Sequence, residues 1–217
     1  EALADELIPR LHALLIRADA LRIEDGAVFG PSWRALADEA AAPARDDWWR
    51  HRRDELLALA RERSPRYVYS IAHVRGQARA LRELSMVDRW LYALKANPHA
   101  AILRALGEEG FSFECVSMAE VDAVRSAVPN VAPEHILFTP NFAPRAEYAA
   151  ALDAGVRVTL DALHPLAEWG ELFAGRDVHL RVDLGVGRGH HDKVKTGGAA
   201  SKFGVALDQI DEFRALA

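Results

Sequence analysis

The sequence predicts an α/β protein in which βαβ units build a parallel sheet, doubly wound or curving into a barrel, behind a helical leader. Three observations lead there. From residue 65 onward, five short apolar segments recur about 20 to 25 residues apart, the rhythm of strands that alternate with helices. The gaps between them are helix-long and open on helix-start signals. Residues 1–64 lack that rhythm and show helical spacing instead.

In the leader, Leu3, Leu7, Leu11, Leu14 and Leu15 fall on one helical face, with Pro9 starting or bending that helix. A turn follows at Gly26. Gly30 and Pro31 break the chain, Ser32 caps a short helix carrying Trp33, and AAAPA (40–44) reads as a joint. Asp46 then caps a third helix over 46–63, and Trp33, Trp48 and Trp49 suggest a docking face. Beyond Pro65, YVYSI (67–71) reads as a strand start and 74–84 as a helix. The five strands are then expected at 89–95, 111–117, 135–140, 156–161 and 178–184. Asn97 and Pro98 are expected to cap and open the helix after the first of these, which leaves Lys95 at a strand's C-terminal end. Ser117 and Glu120 have capping-box spacing, and Pro144 and Pro165 can open two more helices.

Composition excludes several classes of function. The chain has 217 residues, half of them apolar, so it is long enough for a real core and is not disordered. Net charge is -5, with no basic tract that would track a phosphate backbone, so nucleic acid is not an expected partner. The start EALADELIP lacks the pattern of a signal peptide, Cys115 is the only cysteine, and no apolar run approaches a membrane span, so a cytoplasmic location is expected.

Lysine is rare: of 27 basic residues only Lys95, Lys193, Lys195 and Lys202 are lysines, leaving 23 arginines. Arginine evidently supplies the surface charge, so a lysine is a candidate for amine chemistry that arginine cannot perform. Lys95, ending a strand rich in Trp90, Leu91, Tyr92 and Leu94, points to the edge where parallel α/β folds place active sites. A lysine in partly apolar surroundings has a lowered pKa and can form a Schiff base with a carbonyl. A lysine that snorkels at a strand end fits the same pattern, and scarcity tips the balance toward function. The glycine-rich loop 183–205 matches neither a dinucleotide fingerprint nor a P-loop; loops of its length are usually functional, with a mobile surface loop as the alternative. His190, His191 and Asp192 lack the spacing of a metal site, so no metal is expected.

YALKANP (92–98), FSFECVSMAE (111–120), LRVD (180–183) and TGGAASKFG (196–204) together resemble the diaminopimelate and ornithine decarboxylase family. The resemblance runs from about Pro65 to the last residue. It implies pyridoxal 5'-phosphate as cofactor and an alanine-racemase-type (β/α)₈ barrel of TIM type. Of that barrel the chain carries about five of eight strands, since 65–217 falls well short of the roughly 250 residues of a whole one. Residues 1–64 would be the leader and 65–217 the N-terminal part of the cofactor-binding barrel.

Carried over by motif, Lys95 is the expected catalytic lysine that holds the cofactor. Glu114, standing where aspartate is commoner, Glu120, Arg181, Ser201 and Lys202 are expected around it. The loop GRGHHDKVKTGGAASKFG most resembles the members that convert meso-diaminopimelate to lysine and carbon dioxide. Ornithine or arginine decarboxylation and a non-catalytic cofactor-binding relative are the alternatives. A small amino-acid substrate and a homodimer in the complete enzyme are implied, with little activity in this chain alone. GPSW (30–33) and DDWWRHRRDELL (46–57) also resemble the joint to a fused aspartate kinase upstream. With five strands, one edge of VHLRVDL (178–184) is expected to lack a partner.

Overall fold

The computed structural model describes residues 22–24, 27–29, 47–186, 197–198 and 201–217. It divides into two compact units, Glu1–Val68 and Tyr69–Ala217.

The first unit is not wholly helical. Strands β1 (Arg22–Glu24) and β2 (Ala27–Phe29) pair antiparallel, with Glu24 opposite Ala27. The intervening dipeptide Asp25-Gly26 is a strong hairpin signal, and reading it only as a turn missed the two strands. Helices α1 (Trp48–His51) and α2 (Arg53–Glu62) follow, with the Arg50 guanidinium 4.9 Å over the Trp49 ring. Trp33 and Asp46 lie outside the described residues.

YVYSI, whose first two residues close the first unit, is not a strand. Tyr67 is fully exposed with no ladder to join, and Ser70 Oγ instead accepts the His73 N–H to open α3 (Ile71–Arg82). Local β propensity has lost to a helix cap. The core is a parallel sheet in sequence order: β3 (Leu91–Ala93), β4 (Ser112–Cys115), β5 (Ile136–Phe138), β6 (Arg157–Leu160) and β7 (Val178–Leu180). Between them run α4 (Ala100–Glu108), α5 (Met118–Ala127), α6 (Arg145–Asp153) and α7 (His164–Phe173). This is a partial (β/α)₈ barrel with five parallel strands, as expected.

The edge of the fifth strand differs from expectation. Its continuation, β8 (Val182–Asp183), pairs in parallel with β9 (Val205–Ala206), and the Val205 N–H donates to Arg181 O at 2.8 Å. A short sixth strand thus covers only the C-terminal half of the VHLRVDL edge expected to stand open along its whole length. Helix α8 (Ile210–Leu216) follows. Gly204 permits this close approach: its φ is +83°, and a Cβ there would lie 2.9 Å from the Asp183 backbone nitrogen.

Alternation along the strands sorts the two faces. Phe113, Cys115, Ile136, Phe138, Val158 and Leu160 are fully buried with the inner faces of the helices, including Leu103, Val121, Val124 and Tyr148. The Tyr148 ring meets Phe138 and Phe173 edge-on, at 6.0 and 5.7 Å between centroids. At the N-terminal side, Arg79 and Arg75 of α3 grip buried Glu109 at the end of α4, with Arg79 Nη2 2.8 Å from its carboxylate. Those hydrogen bonds, led by Arg79, hold the Glu109 carboxyl below its ordinary range. Among the described residues no helix is long and apolar enough to cross a membrane.

Candidate active site

The opposite face of the same strands builds the site. Ladder partners in parallel strands point the same way, so the period of two that buries Phe113 and Phe138 presents Glu114 and Thr139 on the other side. There the strands' C-terminal ends surround a cavity of about 440 Å³, whose wall includes Lys95, Glu114, Thr139, Asp161, His179 and Arg181. Ligand cavities commonly span roughly 300 to 1,000 Å³.

Lys95 lies just past β3, in a 3₁₀ turn, Leu94–Ala96, anchored by fully buried Leu94. Its side chain is exposed, not seated in the apolar surroundings expected of it. The helix cap also moves. Asn97 Oδ1 accepts the His99 N–H at 3.0 Å, and His99 in turn is the N-cap of α4, its Nδ1 accepting from Ala101 at 3.2 Å. Asn97 therefore builds a turn before the helix and not its first cap, because its side chain bonds two residues on.

Glu114 on β4 accepts a hydrogen bond from Thr139 Oγ1 on the next strand. Its carboxylate is thereby tied across the cavity floor. Glu120 is not part of the wall: its Oε2 accepts the Val116 N–H at 2.7 Å, while Ser117 Oγ accepts the Glu120 N–H at 3.3 Å. This reciprocal capping fixes the turn that follows β4. Arg181 bonds Asn141 Oδ1 at 3.2 Å and stands 4.6 Å over the Phe203 ring. Ser201 and Lys202 also lie off the wall. Ser201 Oγ accepts the Phe203 N–H at 3.1 Å, and Lys202 Nζ is 5.2 Å from the same ring. Phe203 is the link between the SKFG segment and the cavity.

Two acids, Asp161 just past β6 and Asp183 at the end of β8, were not singled out by sequence reasoning. Asp161 is 4% exposed, lines the cavity and leaves Oδ2 without a hydrogen-bond partner. Burial pushes its carboxyl up, against the opposing pull of its own N–H and the Arg181 charge. Asp183 Oδ1 accepts from Gly185 and Gly198, each at 3.0 Å, and so pins the two ends of the glycine-rich loop. A Cβ on the neighbouring Gly197 would come within 2.9 Å of Val186 O. The only sequence signal for this clamp is an acid at a strand end with glycines two and fifteen residues on.

We expect Asp183→Ala to cost about 1–3 kcal/mol, the usual range for a charged acceptor lost from a part-buried N–H donor, here that of Gly198. A denaturant midpoint on the whole protein measures it, and a midpoint equal to wild type would show that the clamp holds nothing.

Cys115 is buried behind the sheet, which pushes its thiol up to about 12 and rules it out as a nucleophile. His190, His191 and Asp192 lie outside the described residues, and among the described residues no three metal-ligating side chains converge.

The donor set fits pyridoxal phosphate. A primary amine stands at the wall for its aldehyde, a guanidinium and an imidazole are available to its oxygens, and carboxylates are available to polar hydrogens. Comparisons with known proteins agree. Residues 71–217 match the family model described as the pyridoxal-binding domain of pyridoxal-dependent decarboxylases. Diaminopimelate decarboxylase of Methanothermobacter thermautotrophicus is 38% identical over 122 residues, which are 56% of this chain and 28% of that protein. The Streptomyces coelicolor enzyme of the same name is 31% identical over 161 residues, 73% of this chain and 36% of its own. The chain thus spans about a third of the length of these curated relatives. In fold, diaminopimelate decarboxylase from Helicobacter pylori complexed with L-lysine superposes with a TM-score of 0.62 at 22% identity, over 70% of this chain and 40% of that one.

Proposed function

This chain belongs to the pyridoxal-dependent decarboxylases, through the pyridoxal-binding domain of that family, and from this premise we propose that it is part of an enzyme converting meso-diaminopimelate to lysine and carbon dioxide. The observation that carries the reading is the convergence of Lys95, Glu114 and Arg181 on one cavity at the strand ends. The curated relatives bearing the diaminopimelate decarboxylase name support the substrate.

In this reading Lys95 would hold the cofactor through its amine, and its place just past a strand end would direct cofactor and substrate into the cavity. Glu114, fixed by Thr139, orients donors on the cofactor side, and Arg181 donates to an oxygen of the bound group. Glu120, through Val116, and Ser201 and Lys202, through Phe203, shape the rim. When bound, pyridoxal phosphate accepts the electron pair released as the carboxylate leaves. Residues 1–64 are a leader joining the barrel to an upstream domain, an aspartate kinase in this proposal, and the whole enzyme is a cytoplasmic homodimer.

The test is the whole protein with pyridoxal phosphate and, in parallel, meso-diaminopimelate, ornithine or arginine. Lysine is expected, with turnover of the other two lower by at least about 100-fold, since a site built for a substrate's polar end discriminates strongly against its absence. Preferred release of carbon dioxide from ornithine or arginine would overturn the substrate assignment.

A further inference from the structure

Asp161 combines three properties that its place in the fold does not require. It is almost fully buried, its Oδ2 has no hydrogen-bond donor, and it lies in the wall of the cavity. A buried carboxylate oxygen without a partner destabilises a fold, whereas an amide of the same shape there would carry no charge to desolvate.

The register says what it faces. Leu160 is paired with Leu180, and the Arg181 N–H donates to Leu160 O at 2.8 Å, so Asp161 and Arg181 are the next neighbours beyond the β6–β7 ladder. The guanidinium does not close on the carboxylate. It is shared between Asn141 Oδ1 and the Phe203 ring, and so has neighbours from β5's end, from the SKFG segment and from β6.

On the pyridoxal reading above, we propose that Asp161 is a positioning residue of the cofactor cavity: from the neighbouring strand end its carboxylate attracts the Arg181 guanidinium through space, without a direct hydrogen bond, and holds it toward the cavity so that Arg181 can donate to an oxygen of bound pyridoxal phosphate. Asp161 itself touches neither substrate nor cofactor. Sites that keep an unfavourable buried charge beside a ligand trade stability for function.

The experiment is a double-mutant cycle in the whole protein with Asp161→Asn, Arg181→Gln and the pair, read by the dissociation constant of pyridoxal phosphate from equilibrium dialysis and by the melting midpoint without cofactor. Asp161→Asn should weaken cofactor binding about tenfold while its cofactor-free midpoint stays level or rises by a few degrees. Arg181→Gln should weaken binding at least as much, and the double variant no more than Arg181→Gln alone.

An unchanged dissociation constant in Asp161→Asn, or two losses that multiply in the double variant, would overturn the proposal. A midpoint lowered by several degrees, or failure of Asp161→Asn to fold, would assign Asp161 to the fold instead and overturn it equally. Binding and its cycle are read without turnover. A protein that binds pyridoxal phosphate yet makes no lysine would therefore sink the substrate reading and leave this inference standing.

Discussion

On the proposed reading, Lys95→Ala in the whole protein is expected to lower decarboxylase activity by at least about 100-fold, because the amine that would hold the cofactor is gone, while its melting midpoint stays within error. Both halves follow from position. The side chain is exposed, and the 3₁₀ turn that carries it is held by buried Leu94, so truncation removes no packing. What disappears is the amine. Lys95→Arg sharpens the point, because it keeps the charge and length but has no nucleophilic amine, and it should be as inactive as the alanine variant. Borohydride reduction of the loaded wild-type protein followed by peptide mapping should place the cofactor on residue 95. Recovery of the label on Lys193, Lys195 or Lys202 would transfer the role and undo the assignment.

The readability of this site from sequence divides along a physical line. Features that depend on chain-local signals were legible: the place of Lys95 just past a strand end and in the cavity wall, the Ser117 and Glu120 cap through its spacing, the five strands through their recurrence. Residues whose role is created by packing were not. Asp161 ends VRVTLD like many acids after strands, and only the burial imposed around it leaves a carboxylate oxygen there without a hydrogen-bond partner. The errors have the same origin. YVYSI has the composition of a strand, yet a strand needs a partner and Ser70 offers the chain a cap instead. The sixth strand, two residues at Val205–Ala206, is too short to show alternation, and it exists because Gly204 lets the chain come against Arg181 and Val182.

The polarity of the cavity also follows from the sheet. A closed barrel is ordinarily packed inside with branched apolar side chains. Here the wall carries Glu114, Thr139, Thr159, Asp161, His179 and Arg181 beside apolar Val116, Leu137 and Leu180, so it is not a branched apolar interior. Phe113, Ile136, Phe138 and Val158, on the helix-facing side of the strands, are at zero exposure. The apolar layer between strands and helices therefore bears much of the stability of the unit.

Phe113→Ala should accordingly cost about 3–5 kcal/mol, the range for deleting a fully buried phenyl ring. Phe113 sits in β4 with Tyr92 and Ile136 as ladder partners on either side. Its ring tip would be 3.6 Å from a Cβ at Gly107 on α4, so the ring fills the strand–helix interface itself. Regular elements on both sides cannot collapse into the gap as a loop could. A domain of ordinary stability holds only about 5–15 kcal/mol in all, so the variant should lose most of its margin and its cofactor cavity with it, since Glu114 is the next residue on the same strand. Phe113→Leu, which keeps most of the volume, should cost less than half as much. Denaturant midpoints of the whole protein measure both. A cost for Phe113→Ala below about 1 kcal/mol would mean that the strand–helix layer is not what holds the wall in place.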